Sequence, residues 1–347
     1  MHSELSRLIR SRAHYGPIPA PCHDDRLASE MRIIPLLHGR IKRVHVDMND
    51  LASGHLANHL SPAFGPSASV CSNHDVAPNL LVQAHILHVP GPASLLWETG
   101  VVPRGEIHHH FYQSGVVGND QDFFVYTPPG YNPRGKQTYP VLYLLHGFGY
   151  DASCWTVVGR SNVIMDNLIA QGKAKPMLVV MPLGYGAPEV LAEAFGPSRD
   201  RAVKDRNFDK FRKALLTEVI PRVEAEYLVN KDSNSRAIAG LSMGGAESLL
   251  TGLNALDKFA WIGAFSSGGI TEEFDKEFPA LDSKTAEQLR LLWIACGTDD
   301  PASITINRAF RAWLASKNIK HVDIETPGAH TWMVWRRNLA EFTSLLR

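Results

Sequence analysis

From about residue 120 to the C-terminus, short runs of consecutive apolar residues alternate with longer amphipathic stretches. Few folds accept that pattern. In Pro140-Val-Leu-Tyr-Leu-Leu145 the apolar run is continuous. Successive strand residues point to opposite faces, so such a run is stable only where both faces are covered. Lys175-Pro-Met-Leu-Val-Val-Met181 predicts a second buried strand. Further strands are predicted at Phe123-Phe-Val-Tyr126, Arg236-Ala-Ile-Ala-Gly240, Phe259 to Phe265, Leu291-Leu-Trp-Ile-Ala-Cys296 and His321 to Glu325. Helices are predicted over Ser161 to Gln171, Gly244 to Asn254, Ser303 to Ser316 and Trp332 to Leu346. A long helix over Phe208 to Tyr227 carries Phe211, Leu215, Val219 and Val223 on one face, and Pro221 predicts a kink or a break in it. Strands alternating with helices predict an α/β fold: a mostly parallel sheet with helices on both faces. Reactive groups in such sheets sit in loops at the carboxyl ends of the strands.

The 347 residues suffice for one large α/β domain and a smaller appendage. Lys plus Arg and Asp plus Glu both number 35, so no net charge draws the chain to nucleic acid or an anionic membrane. No apolar run reaches the roughly 18 residues of a membrane span. The N-terminus lacks an apolar signal core, and as written the chain reads as cytoplasmic. Cys22, Cys71, Cys154 and Cys296 are too scattered for a zinc knuckle or a dense disulfide framework. Ten of the 16 histidines precede Val89, in a segment of poor apolar periodicity. His55 and His59 have H-x-x-x-H spacing but no following Glu and no third ligand, so residues 1–85 read as an extension, not a metal site. Ile33 to Leu37 and Leu80 to Val89 are the strand candidates there. His108-His-His110 lies in a strand-like stretch whose neighbours point to opposite faces, which places it at the surface.

The chemistry centres on Gly240-Leu-Ser-Met-Gly244, which fits G-x-S-x-G between a strand and a helix. Such a turn holds its serine in a strained conformation with small residues around it, and lifts the hydroxyl to a helix N-terminus. Serine needs a base. Only His321 and His330 follow Ser242; His321 begins an apolar strand, whereas His330 lies in the loop before the last helix, so His330 is the expected base. Asp299 and Asp300, after the strand ending at Cys296, are both candidates for the acid that orients it. Backbone N–H groups of Met243 and of Phe148, in His146-Gly-Phe-Gly149, are the expected oxyanion donors, each worth about 3 kcal/mol to the transition state. His146 itself reads as a loop hydrogen-bonding group. Trp155 and Trp332 are candidates for an aromatic substrate wall, with core packing the alternative.

These segments resemble the feruloyl and acetyl xylan esterases of carbohydrate esterase family one, within the esterase D and enterochelin-esterase-like group. Val125-Tyr-Thr-Pro-Pro-Gly-Tyr131, Tyr139-Pro-Val-Leu-Tyr-Leu-Leu-His-Gly147, Asn162 to Pro182, Gly240-Leu-Ser-Met-Gly-Gly245, Cys296-Gly-Thr-Asp-Asp300 and His330-Thr-Trp-Met-Val-Trp335 carry the likeness, in order. The resemblance implies an α/β-hydrolase fold over residues 119–347, and Asp300 over Asp299 as the acid. It implies residues 86–118 as the remnant or junction of an early-set β-module, with Asp122 and Arg104 where relatives often have Arg and His. It also implies hydrolysis of hydroxycinnamoyl esters of plant cell-wall sugars, with no metal or cofactor. Acetyl xylan, tannin and siderophore esters, acyl transfer to a sugar, and carbohydrate binding without catalysis are the alternatives.

Overall fold

The computed structural model describes residues 91–92, 94–193 and 200–346, together with the backbone of four short segments before them. Those segments form two antiparallel pairs, Met31–Ile33 with Val44–Val46 and Leu36–Leu37 with Arg40–Ile41. The strand expected over Ile33 to Leu37 is thus split between the two pairs. The strand expected at Leu80 to Val89, the His55/His59 pair, Cys22 and Cys71 lie outside the described residues.

One eight-stranded sheet organises the remainder. Its strands are β1 (Glu106–Gln113), β2 (Asp120–Thr127), β3 (Val141–Leu145), β4 (Leu178–Pro182), β5 (Arg236–Leu241), β6 (Trp261–Phe265), β7 (Leu291–Gly297) and β8 (Val322–Thr326). They lie in the order β1-β2-β4-β3-β5-β6-β7-β8. Strands β3 to β8 run parallel, and β2 pairs antiparallel with both β1 and β4. The fold is that of an α/β hydrolase. Glu106–Gln113 lies within residues 86–118, the span expected as the remnant or junction of an early-set β-module. All eight of these residues pair with β2 and extend the same sheet.

Strand β3 shows why the continuous apolar runs were required. Val141, Tyr143 and Leu145 join a core layer with Phe211 and Leu215, while Leu142 and Leu144 join the opposite layer with Ile164, Leu168 and Phe342. Every residue of β3, β4 and β5 is buried. Helices α1 (Ser161–Ala170) and α6 (Trp332–Leu345) cover one face. Helices α2 (Arg201–Ala214), α3 (Ile220–Glu226), α4 (Met243–Gly252) and α5 (Ile304–Ser316) cover the other. Polar side chains buried beside these layers find partners: Arg236, 3% exposed, reaches Glu224, Lys231 O and Lys258 O and so ties β5 to α3, and Asn167 donates to Leu96 O and Glu98 O, fastening the segment before β1 to α1.

The long helix expected over Phe208 to Tyr227 begins earlier, at Arg201, and does not stop at Pro221. It passes through a π turn at Leu215–Val219, closed by Ile220 N–H on Leu215 O, and resumes as α3. Proline lacks an N–H and crowds the carbonyl four residues back. The wider turn ahead of Pro221 lets it stand in the first turn of α3, where no N–H partner is needed. His108-His-His110 is less superficial than expected. His110 Nε2 meets Tyr227 Oη at 2.6 Å and its ring stacks on Phe123, while His109 bonds Asp122 at 2.7 Å and stacks on Phe124. Alternation still sends neighbours to opposite faces. Among the described residues no helix is long and apolar enough to cross a membrane.

Helix α6 carries the chain away from the His330 loop, and Phe342 anchors it against Phe265 and Trp293 with none of its surface exposed. Phe342→Ala is expected to cost about 3–5 kcal/mol in urea unfolding. A loss under about 1 kcal/mol would mean that α6 is not docked through this ring.

Candidate active site

The turn from β5 into α4 has no spare residue: Leu241 ends the strand, Ser242 caps the helix and Met243 begins it. Ser242 therefore takes φ 52° and ψ −115°, a positive φ that a side chain rarely adopts. Its N–H donates to Phe265 O at 2.9 Å, and its carbonyl accepts from Ala246 and Gly268 N–H. These bonds hold a conformation that costs about 1–3 kcal/mol. The glycines follow from close backbone approach. A Cβ on Gly244 would lie 2.4 Å from His146 O, and one on Gly240 would lie 2.4 Å from Gly244 O. The hydroxyl of Ser242 makes no capping bond.

His330 lies in the loop between β8 and α6. Its Nδ1 donates to Asp300 Oδ2 at 2.6 Å, which leaves Nε2 as the basic nitrogen. Asp300, after β7, is completely buried; its other oxygen accepts Ser303 N–H at 3.1 Å. Asp299 is exposed and turns its N–H to Gly328 O. Of the two aspartates left open by the residues alone, Asp300 is the one bonded to the imidazole. Trp335 meets the His330 ring edge-on at 4.8 Å. Ser303 Oγ is 3.5 Å from His330 Nδ1. A Cβ on Gly268 would stand 3.7 Å from Ser303 Oγ and 4.0 Å from Ser242 Oγ, so the loops after β5, β6, β7 and β8 meet at one rim. His321 bonds Ile319 O and takes no part.

The loop after β3 closes the other side. A Cβ on Gly147 would lie 3.3 Å from Ser242 Cβ, so this loop runs directly against Ser242. His146 is 1% exposed; Nδ1 donates to Gly147 O and Nε2 accepts Gly184 N–H, both at 2.8 Å. With both nitrogens engaged and burial lowering its pKa, it stays neutral and serves the loop. Phe148 is half-exposed beside Tyr185. Met243, first in α4, has an N–H without a helical partner.

The tryptophan expectation is corrected. Trp155 is fully buried, donates to Leu145 O and meets Trp332 edge-on at 5.1 Å. Trp332 is 2% exposed and donates to Tyr150 Oη at 3.1 Å. Neither ring faces a substrate; both pack in the core, and Trp332 steadies Tyr150. Sequence reasoning missed Tyr150, Tyr185 and Ser303. Tyr185 Oη accepts Gly149 N–H at 2.9 Å and donates to Tyr150 O at 2.8 Å, clamping the loop across two residues. The phenol's pKa is raised, chiefly by burial, which keeps it protonated for both bonds. Cys154 and Cys296 are buried free thiols. Burial and then the Asp300 charge push the Cys296 thiol up to about 12, so it is no competing nucleophile.

Tyr185→Phe removes both clamp bonds and leaves the ring. It is expected to lower stability by about 1–3 kcal/mol and kcat by roughly tenfold, with little change in KM. Wild-type kcat in this variant would show that the loop keeps its place without the phenol.

The chain is similar to several known proteins. The chain is 32% identical over 291 residues to an endo-1,4-beta-xylanase/feruloyl esterase of Xylanibacter ruminicola, covering 77% of this chain and 38% of the relative. It is 25% identical to Esterase Rv1288 of Mycobacterium tuberculosis over 67% of this chain and 58% of that protein. The chain thus spans less than two thirds of the length of these curated relatives. Among solved structures, a CE1 ferulic acid esterase from Anaeromyces mucronatus superposes with a TM-score of 0.63 at 24% identity, covering 73% of this chain and 95% of that one. The family model named Esterase matches residues 114–345. That span runs from the turn before β2 to the end of α6 and contains Ser242, Asp300 and His330: the chain belongs to the Esterase family.

Proposed function

We propose that this chain is a serine carboxylic-ester hydrolase that releases hydroxycinnamic or related acyl groups from plant cell-wall sugar esters. The reaction uses Ser242 as nucleophile, His330 as base and Asp300 as the orienting acid. The observation that carries it is the 2.6 Å bond from His330 Nδ1 to the fully buried Asp300, beside a serine held at positive φ on a helix N-terminus.

In the first half-reaction His330 Nε2 takes the Ser242 proton as Oγ attacks the ester carbonyl. The negative charge that develops on the carbonyl oxygen is met by the N–H groups of Phe148 and Met243. Collapse of the tetrahedral intermediate breaks the bond to the alcohol oxygen, which leaves with the proton from His330. Water then enters, gives its proton to His330 and attacks the acyl-enzyme; the acid departs and Ser242 regains its hydrogen. Asp300 holds the ring in the Nδ1–H tautomer throughout and stabilises the imidazolium that forms twice per cycle. The relative named for feruloyl esterase activity and the resemblance of the motifs support the hydroxycinnamoyl assignment. The half-exposed Phe148 ring at the mouth of the site offers an aromatic acid a stacking surface.

Steady-state assays with methyl ferulate and p-nitrophenyl acetate test this reading. Ser242→Ala is expected to abolish turnover of both, and Asp300→Asn to lower kcat by about 10³–10⁴-fold. Asp299→Asn should stay within about threefold of wild type. Retained turnover in Ser242→Ala, or a crippling effect confined to Asp299→Asn, would overturn the assignment.

A further inference from the structure

Beneath the oxyanion loop lies a buried polar cluster that the acyl-transfer steps do not use. Glu247 stands on α4, five residues beyond Ser242, and is 1% exposed. Its Oε1 accepts from Asn207 Nδ2 on α2 at 3.5 Å. Its Oε2 is buried and has no hydrogen-bond partner among the described residues. That oxygen faces the backbone of Gly184, in the loop after β4. A Cβ on Gly184 would lie 3.1 Å from Glu247 Oε2 and 3.2 Å from His146 Nε2, so the carboxyl and the imidazole look onto the same point from two sides. Gly184 N–H already donates to that imidazole nitrogen, and the other nitrogen holds Gly147 O. Asn207 closes the cluster by accepting Ala187 N–H at 3.1 Å.

The groups packed against Glu247 supply no cation. The loop after β3 contributes His146, the loop after β4 contributes Tyr185, and α2 contributes the neutral Asn207. An unpaired carboxylate here would sit uncompensated in an apolar interior. Burial accordingly drives the carboxyl well above its ordinary range. A neutral carboxyl can lie against the Gly184 backbone and the edge of the His146 ring without the cost of a buried charge.

We propose that Glu247 is a positioning residue for the oxyanion donor: through Gly184 and His146 it fixes the Gly147–Phe148 backbone over Ser242. The link is short and covers each loop once. Glu247 is rigid on the nucleophile's own helix; His146 and Gly184 hang from the ends of β3 and β4; the Phe148 N–H is two residues from the His146 ring. The carboxyl acts as the neutral acid, which a carboxamide can imitate and an alkyl group cannot. This inference rests on the roles given above to Ser242 and Phe148.

The test compares Glu247→Gln and Glu247→Leu for kcat and KM on p-nitrophenyl acetate, with thermal unfolding of each and Ser242→Ala as reference. Glu247→Leu is expected to unfold cooperatively, with kcat at least about tenfold lower and KM within about threefold. Glu247→Gln should recover kcat to within about threefold of wild type. Wild-type kcat in the Leu variant, or a Gln variant as slow as the Leu one, overturns the proposal. Should the Leu variant fail to fold, the Gln variant decides alone: a kcat below about a tenth of wild type overturns it. Turnover surviving in Ser242→Ala marks failure of the active-site reading; unchanged kcat in Glu247→Leu while Ser242→Ala is inactive marks failure of this one.

Discussion

The reversal of the chain at Ser242, the single residue between strand and helix, is the constraint on which the rest of the molecule depends. It forces a positive φ on a serine and brings the backbones of Gly240, Gly244 and Leu145–His146 so close that a single methyl group would collide with main-chain atoms. Main chain cannot step aside as a side chain can, so glycine is obligatory there. The strain of about 1–3 kcal/mol is a real fraction of a typical net stability of about 5–15 kcal/mol. It persists because β5 is central in the sheet, with β3 on one side and β6 on the other, and because Phe265 O and Gly268 N–H bond the serine backbone directly. The central position also explains the geometry of the site. Loops after β3 and β4 lie to one side of the serine, loops after β6, β7 and β8 to the other. Phe148 comes from the first group and the bonded pair His330 and Asp300 from the second.

Each side is locked by buried polar groups whose bonds are few but directional. On the His330 side, Asp300 is completely buried, and its oxygens are met by His330 Nδ1 and Ser303 N–H. A buried carboxylate without these partners would be far too costly to keep. On the oxyanion side, His146, Tyr185 and Trp332 each bond the loop or its supports, and burial keeps the first neutral and the second protonated.

The sheet was legible because its central strands are buried on both faces, which writes them as unbroken apolar runs. Leu178–Pro182 and Leu291–Gly297 differ from expectation only at their ends. The placing of Ser242 and His330 at the carboxyl ends of strands was legible from motif and chain order, whereas the choice between two adjacent aspartates as the partner of the His330 ring needed the resemblance. Edge strand β1 was harder, since one row of its side chains is solvated and His108-His-His110 hides the alternation. The π turn was illegible: a helical period and a proline predict trouble at Pro221, but not that one wide turn resolves it. Trp155 and Trp332 misled because an aromatic near a reactive loop can face either in or out, and only packing decides. Tyr185 and Glu247 carry no local signature, since their roles arise from partners on other elements, Gly149 and Tyr150 for one, Asn207 and the Gly184 backbone for the other.

The account stands on one hydroxyl being activated by one imidazole across the rim of the sheet. Covalent labelling with a fluorophosphonate, mapped by peptide mass spectrometry, addresses that directly. The expected result is a single adduct on Ser242 that forms rapidly in the wild-type chain and slows drastically when His330 is replaced by alanine. A folded protein that stays unlabelled, or an adduct on any other side chain, would contradict it.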